Sequence, residues 1–386
     1  MQGVRRMRAT VIGAGVAGTV SAIALRRQGA EVTLFEAHPD PGGEVGSFVS
    51  LAVNGLRGLA AIDCLDRVQT RGMPIARLRM WSAKGQPIAD LPRGRRGTDP
   101  MRSITLMRGH LVAELRAAAE EAGVRLVTGE RLSAVDPDGT ARFASGRSAA
   151  GDLLVGADGI RSVVRGALDP AAPEPRYAGV WVISGRSPGS VGGSSPGEGT
   201  FNMTVGAHGA FVHVVPPTGG DIWWQAQVNS PNPPEEHAGD WLRRLDALYA
   251  AEPIPRRIIA ATTQLHRHSV NQVLDPVRVW HDARTVLVGD AAHPVGAGQG
   301  ASMAIEDGVA LGAAIGAAET IHEGLARYEA ARRERVTRVL RAADDNREAK
   351  QAGPVRRRLT EIGMSLFFAR FYERATGWLY DYEPAG

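Results

Sequence analysis

The first apolar segments of the chain alternate between a strand-like and a helix-like pattern. Residues 9–12 are apolar and mostly β-branched, and residues 16–28 carry apolar side chains at the spacing of one helix face. Glycines separate these two segments, and residues 31–35 form a second strand-like run. The pattern therefore predicts a strand, a glycine turn, a helix and a second strand.

The same alternation continues to about residue 170 and returns towards the C-terminus. It predicts helices near 54–68, 109–122, 301–317 and 319–349, and strands near 124–128, 132–135, 153–155 and 285–288. The region between is rich in proline and glycine, with strand-like runs at 180–184, 201–205, 210–215 and 222–228 and helical stretches near 236–261. An aromatic-rich segment at 359–380 predicts a further helix, which we expect to pack on its own domain.

Composition narrows the class of protein without identifying a partner. The 386 residues are 44% hydrophobic and 22% charged, as in ordinary globular proteins. Arginine supplies nearly all of the 45 basic residues, since only Lys84 and Lys350 are lysines, but the short arginine runs are separated along the chain. We therefore expect no nucleic-acid partner. No leader and no apolar run long enough for a bilayer are evident, so we expect no membrane span and a cytoplasmic location.

The chain has few side chains that could bind a metal ion or undergo redox chemistry. Cys64 is the only cysteine, which excludes an intrachain disulfide, a CxxC redox pair and a thiolate metal cage. His266 and His268 have no acidic residue at ligand spacing, so we expect no metal site. Any redox chemistry in this chain must therefore use a bound cofactor.

The glycines after the first strand form a dinucleotide-binding motif. Gly13, Gly15 and Gly18 make a GxGxxG sequence between the strand and the helix, the context in which the backbone approaches a pyrophosphate at a helix N-terminus. Glu36 ends the second strand, where a carboxylate binds a ribose diol. This unit predicts a bound dinucleotide, and it leaves the choice between NAD and FAD open.

Together the motif and the element order predict an α/β fold in which a Rossmann-like domain is discontinuous in sequence. We assign residues 1–73, 100–176 and 270–350 to this cofactor domain, 74–99 and 177–269 to a β-rich α+β substrate domain, and 351–386 to C-terminal helices. No segment of domain size remains for a separate NAD(P)H domain, so we expect the reductant to bind transiently.

Two more strands end in acidic residues. Asp158 follows the strand near 153–155 in a Gly-Ala-Asp-Gly sequence, and Asp290 follows the strand near 285–288 in a Gly-Asp sequence. Ligand-binding groups of α/β sheets lie at these strand ends. Gly298 and Gly300 begin the next helix, whose N–H groups can face an anion.

These three motifs, in this order and approximate spacing, resemble the FAD-dependent class A monooxygenases of the para-hydroxybenzoate hydroxylase type. The resemblance implies that Gly13, Gly15 and Gly18 cradle the FAD pyrophosphate and that Glu36 binds the adenosine ribose. It further implies a set of groups around the rest of the cofactor: Arg108 at the start of a helix, Asp158 in a motif shared by FAD and NAD(P)H, Asp290 at the ribityl chain, and Gly298 and Gly300 facing the flavin pyrimidine ring.

The implied activity is transfer of one oxygen atom from O2. The family uses NADPH or NADH to reduce FAD and a flavin C4a-hydroperoxide to hydroxylate or epoxidise its substrate, here a small aromatic or olefinic compound. A flavin dehydrogenase or reductase of the same fold remains open, whereas the Trp-x-Trp-x-Ile-Pro sequence of flavin halogenases is missing. The oligomeric state is open between monomer and homodimer.

The sequence departs from the family pattern at two places. Three residues, 295–297, separate Pro294 from Gly298, about two fewer than usual, and Ser184-Gly185-Arg186 stands where relatives often have Trp-Arg-Gly. Both departures concern the surroundings of the flavin and the substrate. They make it harder to infer the substrate from relatives.

Alternation along the β-rich segment suggests a substrate pocket. Phe211 and His213 share one face of the run at 210–215, and Trp223 and Gln225 share a face of the run at 222–228. We expect these four side chains to line the substrate site, with His213 as the candidate acid–base group. The alternative, that they pack the core of the small domain, is equally compatible with the sequence.

Overall fold

The computed structural model describes residues 7–40, 47–191, 199–235, 240–295, 298–351 and 373–384. The α-helices of these residues are α1 (Val16–Arg27), α2 (Val53–Ala61), α3 (Leu65–Arg71), α4 (Arg108–Glu121), α5 (Val163–Leu168), α6 (Trp241–Leu248), α7 (Pro253–Ala260), α8 (Gly300–Gly316) and α9 (Ile321–Gln351).

The strands up to the middle of the chain are β1 (Arg8–Ile12), β2 (Glu31–Glu36), β3 (Phe48–Leu51), β4 (Met73–Ile75), β5 (Arg77–Ser82), β6 (Pro87–Pro92), β7 (Ser103–Met107), β8 (Arg125–Thr128), β9 (Leu132–Val135), β10 (Ala141–Phe143), β11 (Ser148–Ala149) and β12 (Leu153–Gly156). They are followed by β13 (Arg176–Ser187), β14 (Thr200–Val205), β15 (Gly209–Val215), β16 (Ile222–Asn229), β17 (Gln264–Leu265), β18 (Ser269–Val273) and β19 (Thr285–Leu287).

A parallel sheet forms the centre of the cofactor side. Its order is β19-β12-β1-β2-β8, and every residue of β12 and β19 is buried. Strands covered on both faces are apolar throughout, which explains why the sequence shows them as apolar runs. Helix α1 packs closely on α8, where Gly308 and Gly312 approach Val20 and Ala24. The predicted strand–turn–helix–strand unit and the α/β fold class are confirmed.

A second, larger sheet has the order β17-β13-β16-β15-β14-β5-β6, with β18 paired to β13. Its strands are antiparallel except for β14 and β5, which pair in parallel and so join residues 77–92 to residues 176–273. We call the face of this sheet that packs against α6 and α7 the outer face, and the opposite face the inner face. The domain boundaries stay a prediction, which this grouping of strands supports.

The helix predicted near 54–68 is wrong in its length. The structure has two helices there, α2 and α3, separated by a turn in which Asp63 has a φ of 57°. The Cys64 amide donates to the Leu59 carbonyl oxygen at 2.8 Å and closes that turn. A left-handed residue cannot continue an α-helix, so the apolar pattern runs on while the helix does not.

Much of the predicted C-terminal helix near 359–380 lies outside the described residues, which resume at residue 373. There residues 373–376 are α-helical, as predicted, and the chain continues into a 3-10 turn at Gly377–Tyr380, whose Tyr380 packs on Ala52 and Val53. No α-helix of the described residues combines the length and the apolar composition that crossing a membrane requires.

Candidate cofactor and substrate site

The glycine motif forms a tight turn at the end of β1. Gly13 has a φ of +99°, and a Cβ placed on it would lie 2.4 Å from the Ala157 carbonyl oxygen. A Cβ on Gly18 would lie 1.9 Å from the Gly13 carbonyl oxygen. Gly15 has open space at its Cβ position, and no side chain caps the start of α1. This open helix N-terminus fits a phosphate group.

Glu36 holds the turn from the end of β2. Its Oε2 accepts a hydrogen bond from the Ala14 amide at 2.8 Å, and its Oε1 accepts one from the His38 amide at 2.9 Å. Arg116 of α4 completes the arrangement: its Nη2 lies 3.3 Å from Glu36 Oε2, and its Nε donates to the Ala14 carbonyl oxygen at 2.9 Å. Burial lowers the pKa of Arg116, and the charge of Glu36 opposes that shift.

Sequence reasoning missed Arg116. It lies in the middle of an amphipathic-looking helix, where an arginine is ordinarily solvated, and nothing in the local pattern marks it as buried. Its contacts with Glu36 and Ala14 show that it positions the glycine turn.

Asp158 binds the N-terminus of the short helix α5. Its Oδ1 accepts from the Ser162 hydroxyl at 2.5 Å, and its Oδ2 accepts from the Val163 and Val164 amides at 2.7 and 3.1 Å. Burial raises the pKa of Asp158, while these hydrogen bonds act in the opposite direction. The carboxylate is thus engaged in capping α5, and its contact with a cofactor stays a prediction.

Asp290, which follows β19, differs from Asp158 in its hydrogen bonding. Its side chain is exposed on one side, and within the described part of the chain its carboxylate accepts no hydrogen bond. Protein atoms crowd the other sides, and this desolvation raises the pKa of Asp290, opposed by the charges of His293 and Arg108. The charge of Arg108, the first residue of α4, therefore acts on Asp290. A carboxylate that lacks donors fits the hydroxyl groups of a polyol.

Buried hydrogen bonds fix the start of α8, where Gly298 has a φ of +75°. The Asn54 amide nitrogen donates to Glu306 Oε1 at 2.7 Å and to Gln299 Oε1 at 3.4 Å. Glu306 is also paired with Arg332, Nη1 to Oε2 at 2.6 Å. Helices α2 and α9 therefore hold the helix start, with Gly298 and Gly300 at its end. Residues 296 and 297 of the short connecting loop lie outside the described residues.

A buried ion pair joins α8 to the Asp290 segment. His293 Nε2 lies 2.6 Å from Asp307 Oδ2, which also accepts from the Gly289 amide at 2.8 Å. Arg332 Nε donates to Asp307 Oδ1 at 2.8 Å. Burial alone would raise the pKa of Asp307, but the charges of His293 and Arg332 lower it to about 2. The helix start and the strand end therefore form one rigid unit.

These features together fit FAD. The open turn at Gly13, Gly15 and Gly18 fits the pyrophosphate, Asp290 fits the ribityl hydroxyls, and the N–H groups at Gly298 and Gly300 fit the electron-rich edge of the flavin ring. The fold and the site define a flavoprotein.

The four side chains predicted to line one pocket lie on both faces of the larger sheet. Phe211 and His213 are on the outer face, where Phe211 stacks on Trp224 with ring centroids 5.6 Å apart. His213 is 3% exposed, and burial together with the charge of Arg257 lowers its pKa to about 3. For these two residues the structure supports the core-packing alternative, so they do not belong to one pocket with Trp223 and Gln225.

Trp223 and Gln225 lie on the inner face, where Trp223 and Phe48 are half-buried and Phe201 is buried. Trp223 stacks on Phe48 of β3 with centroids 6.3 Å apart, and Phe48 meets Phe201 edge-on at 6.4 Å. Arg93 lies over the Phe201 ring at 4.1 Å, and its Nη2 is 3.8 Å from the Cβ position of Gly298. The inner face thus reaches the start of α8. Phe48 and Arg93 were missed because they come from segments with no motif.

Comparison with known proteins identifies the family. The sequence model described as "FAD binding domain" matches residues 6–343. The chain is 32% identical to aurachin C monooxygenase/isomerase of Stigmatella aurantiaca over 337 residues, covering 84% of this chain and 85% of the relative. It is 33% identical to 3-amino-4-hydroxybenzoate 2-monooxygenase of Streptomyces cremeus over 353 residues, covering 88% and 86%.

Solved structures agree with the fold. Klebsiella pneumoniae HpxO in complex with FAD and uric acid matches with a TM-score of 0.82 at 24% identity, covering 97% of both chains. CtdE in complex with FAD and a substrate matches with a TM-score of 0.78 at 20% identity, covering 90% of both. This chain belongs to the family of FAD-binding-domain flavoproteins, in its class A aromatic hydroxylase branch. It is an FAD-dependent monooxygenase, and the dehydrogenase alternative is thereby disfavoured.

Proposed function

We propose that this monooxygenase uses NADH or NADPH and O2 to hydroxylate or epoxidise a small aromatic or olefinic substrate that binds on the inner face of the larger sheet. The observation that carries the proposal is the aromatic surface of Phe48, Phe201 and Trp223, which adjoins the start of α8. Planar aromatic side chains favour flat, apolar ligands. The name of one relative, 3-amino-4-hydroxybenzoate 2-monooxygenase, specifies an aromatic substrate, which supports this substrate class.

When bound, FAD would accept hydride from NADH or NADPH and would activate O2. The chain's own residues perform the other tasks. The open N-termini of α1 and α8 bind negative charge, and Asp290 accepts hydrogen bonds from hydroxyl groups. The aromatic inner face excludes water and orients the substrate plane, and the Gln225 amide, on the same face, offers it a polar contact.

His213 has no place in this proposal as an acid–base group. Its ring lies on the outer face, and its low pKa keeps it neutral at ordinary pH. Cytoplasmic location and the choice between monomer and homodimer stay predictions.

The test of the proposed function is oxygen transfer from isotopically labelled O2. Purified protein should be yellow, release FAD on denaturation, and give a product that is one labelled oxygen atom heavier when NADH or NADPH is supplied with a panel of aromatic and olefinic compounds. Reduction of an artificial acceptor by NAD(P)H, with no labelled product from any compound, would support the dehydrogenase alternative.

Replacement of Asp290 tests the cofactor assignment separately. Asp290→Ala should weaken FAD binding about 10- to 100-fold, because a hydrogen bond to a charged group contributes about 1.5–3 kcal/mol. FAD fluorescence during titration of the apoprotein measures the change. Asp275→Ala removes an exposed carboxylate paired with Arg176 and serves as the matched control. Equal FAD affinity in the two variants would contradict the role of Asp290.

A further inference from the structure

Arg93 occupies a fixed backbone position directly after β6. Its amide donates to the Ala76 carbonyl oxygen at 3.1 Å, and the following residue, Gly94, has a φ of +62°. The Gly94 carbonyl oxygen accepts from the Val53 amide at 3.0 Å. The Cβ position of Gly94 lies 3.2 Å from the Cβ of Ala52. These contacts therefore fix the backbone from which the Arg93 side chain extends.

The guanidinium group of Arg93 has no anionic partner among the described residues. Its Cζ lies over the Phe201 ring, 4.1 Å from the centroid, and its Nε is buried. Among the residues that the structure describes, none accepts a hydrogen bond from this Nε and no carboxylate pairs with the side chain.

The neighbouring arginines of the same segment behave differently. Arg95 donates to the Asp99 carbonyl oxygen at 2.5 Å, and Arg96 forms a two-pronged ion pair with Asp381. Both side chains therefore donate to oxygen atoms of the described residues, although the Arg95 Nε, like that of Arg93, is buried without a partner there. Among the described residues, Arg93 is the one of the three whose guanidinium group has no hydrogen-bond acceptor at all, and it lies on the inner face beside Gly298.

We infer that Arg93 is a specificity-determining residue that binds an oxyanion carried by an aromatic substrate, either a carboxylate or an ionised ring hydroxyl. The inference rests on the proposed function and names its substrate class. A partly buried cation next to a hydrophobic ring gains more from a charge-assisted, bidentate hydrogen bond than a solvated one does. Because the guanidinium group packs on Phe201, it can hold an anionic ring substituent while the substrate ring lies along the aromatic inner face.

Binding of anionic probes and their neutral counterparts to the holoenzyme tests this inference. We would titrate 3-hydroxybenzoate against 3-hydroxybenzamide, and ionised 4-cyanophenol against 4-cyanoanisole, following the flavin absorbance. The wild type should bind at least one anion tenfold or more tightly than its neutral counterpart. The pair that shows this preference distinguishes a carboxylate from an ionised hydroxyl.

Three variants assign the preference to its source. Arg93→Gln should reduce it to about twofold or less, with FAD content and the flavin spectrum unchanged, and Arg93→Lys should retain part of it because the charge remains. Arg102→Gln, the same change at an exposed arginine, should leave the preference as in the wild type.

Several results would overturn the inference. One is a wild type without anion preference, and another is a preference that survives in Arg93→Gln. A third is an Arg93→Gln protein that loses FAD or shifts the flavin midpoint potential, since Arg93 would then contact the cofactor. Labelled-oxygen transfer by the wild type is measured alongside, so a failure of the proposed function is recognised separately.

Discussion

The two faces of the larger sheet use the same strands for opposite purposes. Along β16 the residues alternate strictly between buried and half-buried, so that Trp224 is 0% exposed on the outer face and Trp223 remains accessible on the inner face. Helices α6 and α7 enclose the outer face, where Tyr249 and Phe211 surround Trp224. The inner face carries a buried cluster of its own around Phe201, but it leaves Phe48 and Trp223 half-buried and presents Arg93, which has no anionic partner among the described residues. One face is enclosed by helices, and the other leaves aromatic rings accessible to a ligand.

The largest effect is expected when Trp224, the tryptophan on the enclosed outer face, is truncated. Trp224→Ala should lower the free energy of unfolding by about 3–5 kcal/mol, because it leaves a large cavity and removes the hydrogen bond that the Trp224 indole donates to the Ser187 hydroxyl oxygen. Chemical denaturation of the holoenzyme measures this, and probe binding by the remaining folded protein should be nearly unchanged. A stability loss under about 1 kcal/mol would show that the outer face is not the structural one.

The pH dependence of the free energy of unfolding also tests the enclosed outer face, and we expect a smaller effect. The pKa of His213 falls from about 6.5 in the unfolded chain to about 3 in the fold. The unfolded state therefore binds more protons between these values, and the free energy of unfolding falls as the pH drops, by at most about 1.4 kcal/mol per pH unit. His213→Gln should remove this contribution to the slope below pH 6.5.

Exposed His208 offers the matched control for that experiment. His208→Gln should keep the slope of the wild type, since its ring is solvated in both states. Identical slopes in His213→Gln and the wild type would mean that the His213 ring takes up a proton in the folded state.

The smallest effect on stability is expected on the inner face. Trp223→Ala should lower the free energy of unfolding by about 1–2 kcal/mol, because the ring is only half-buried, yet weaken binding of aromatic probes about tenfold. Flavin absorbance titrations measure the binding. Trp223 and Trp224 are adjacent in sequence, so each variant controls for the other. A reversed pattern, with binding lost only in Trp224→Ala, would assign the ligand to the outer face.

Much of the candidate cofactor site could be predicted from the sequence, but less of the candidate substrate site could. Gly13, Gly15 and Gly18 could be located because the spacing of apolar residues changes there from the period of a strand to the period of a helix. Alternation in the β-rich segment separates Trp223 from Trp224, but it cannot say which face meets the cofactor, since that depends on the packing of distant segments. Phe211 and His213 were placed in the pocket for this reason.

Long-range contacts account for the other omissions. Arg116 contacts Glu36 from helix α4, which begins more than seventy residues later in the sequence. Arg93 contacts the Gly298 segment across about half the length of the chain. No local pattern encodes such pairs. The break at Asp63 was missed because helical apolar spacing continues on both sides of it.

The parallel pairing of β5 with β14 has a consequence for how the protein folds. The paired residues Arg77 and Thr200 are about 120 positions apart, so the larger sheet remains two separate pieces until most of the chain has been synthesised and this loop has closed. Strand β14 keeps an unpaired edge until then, and an unpaired edge promotes aggregation. We therefore expect refolding yield to depend more on protein concentration than final stability does.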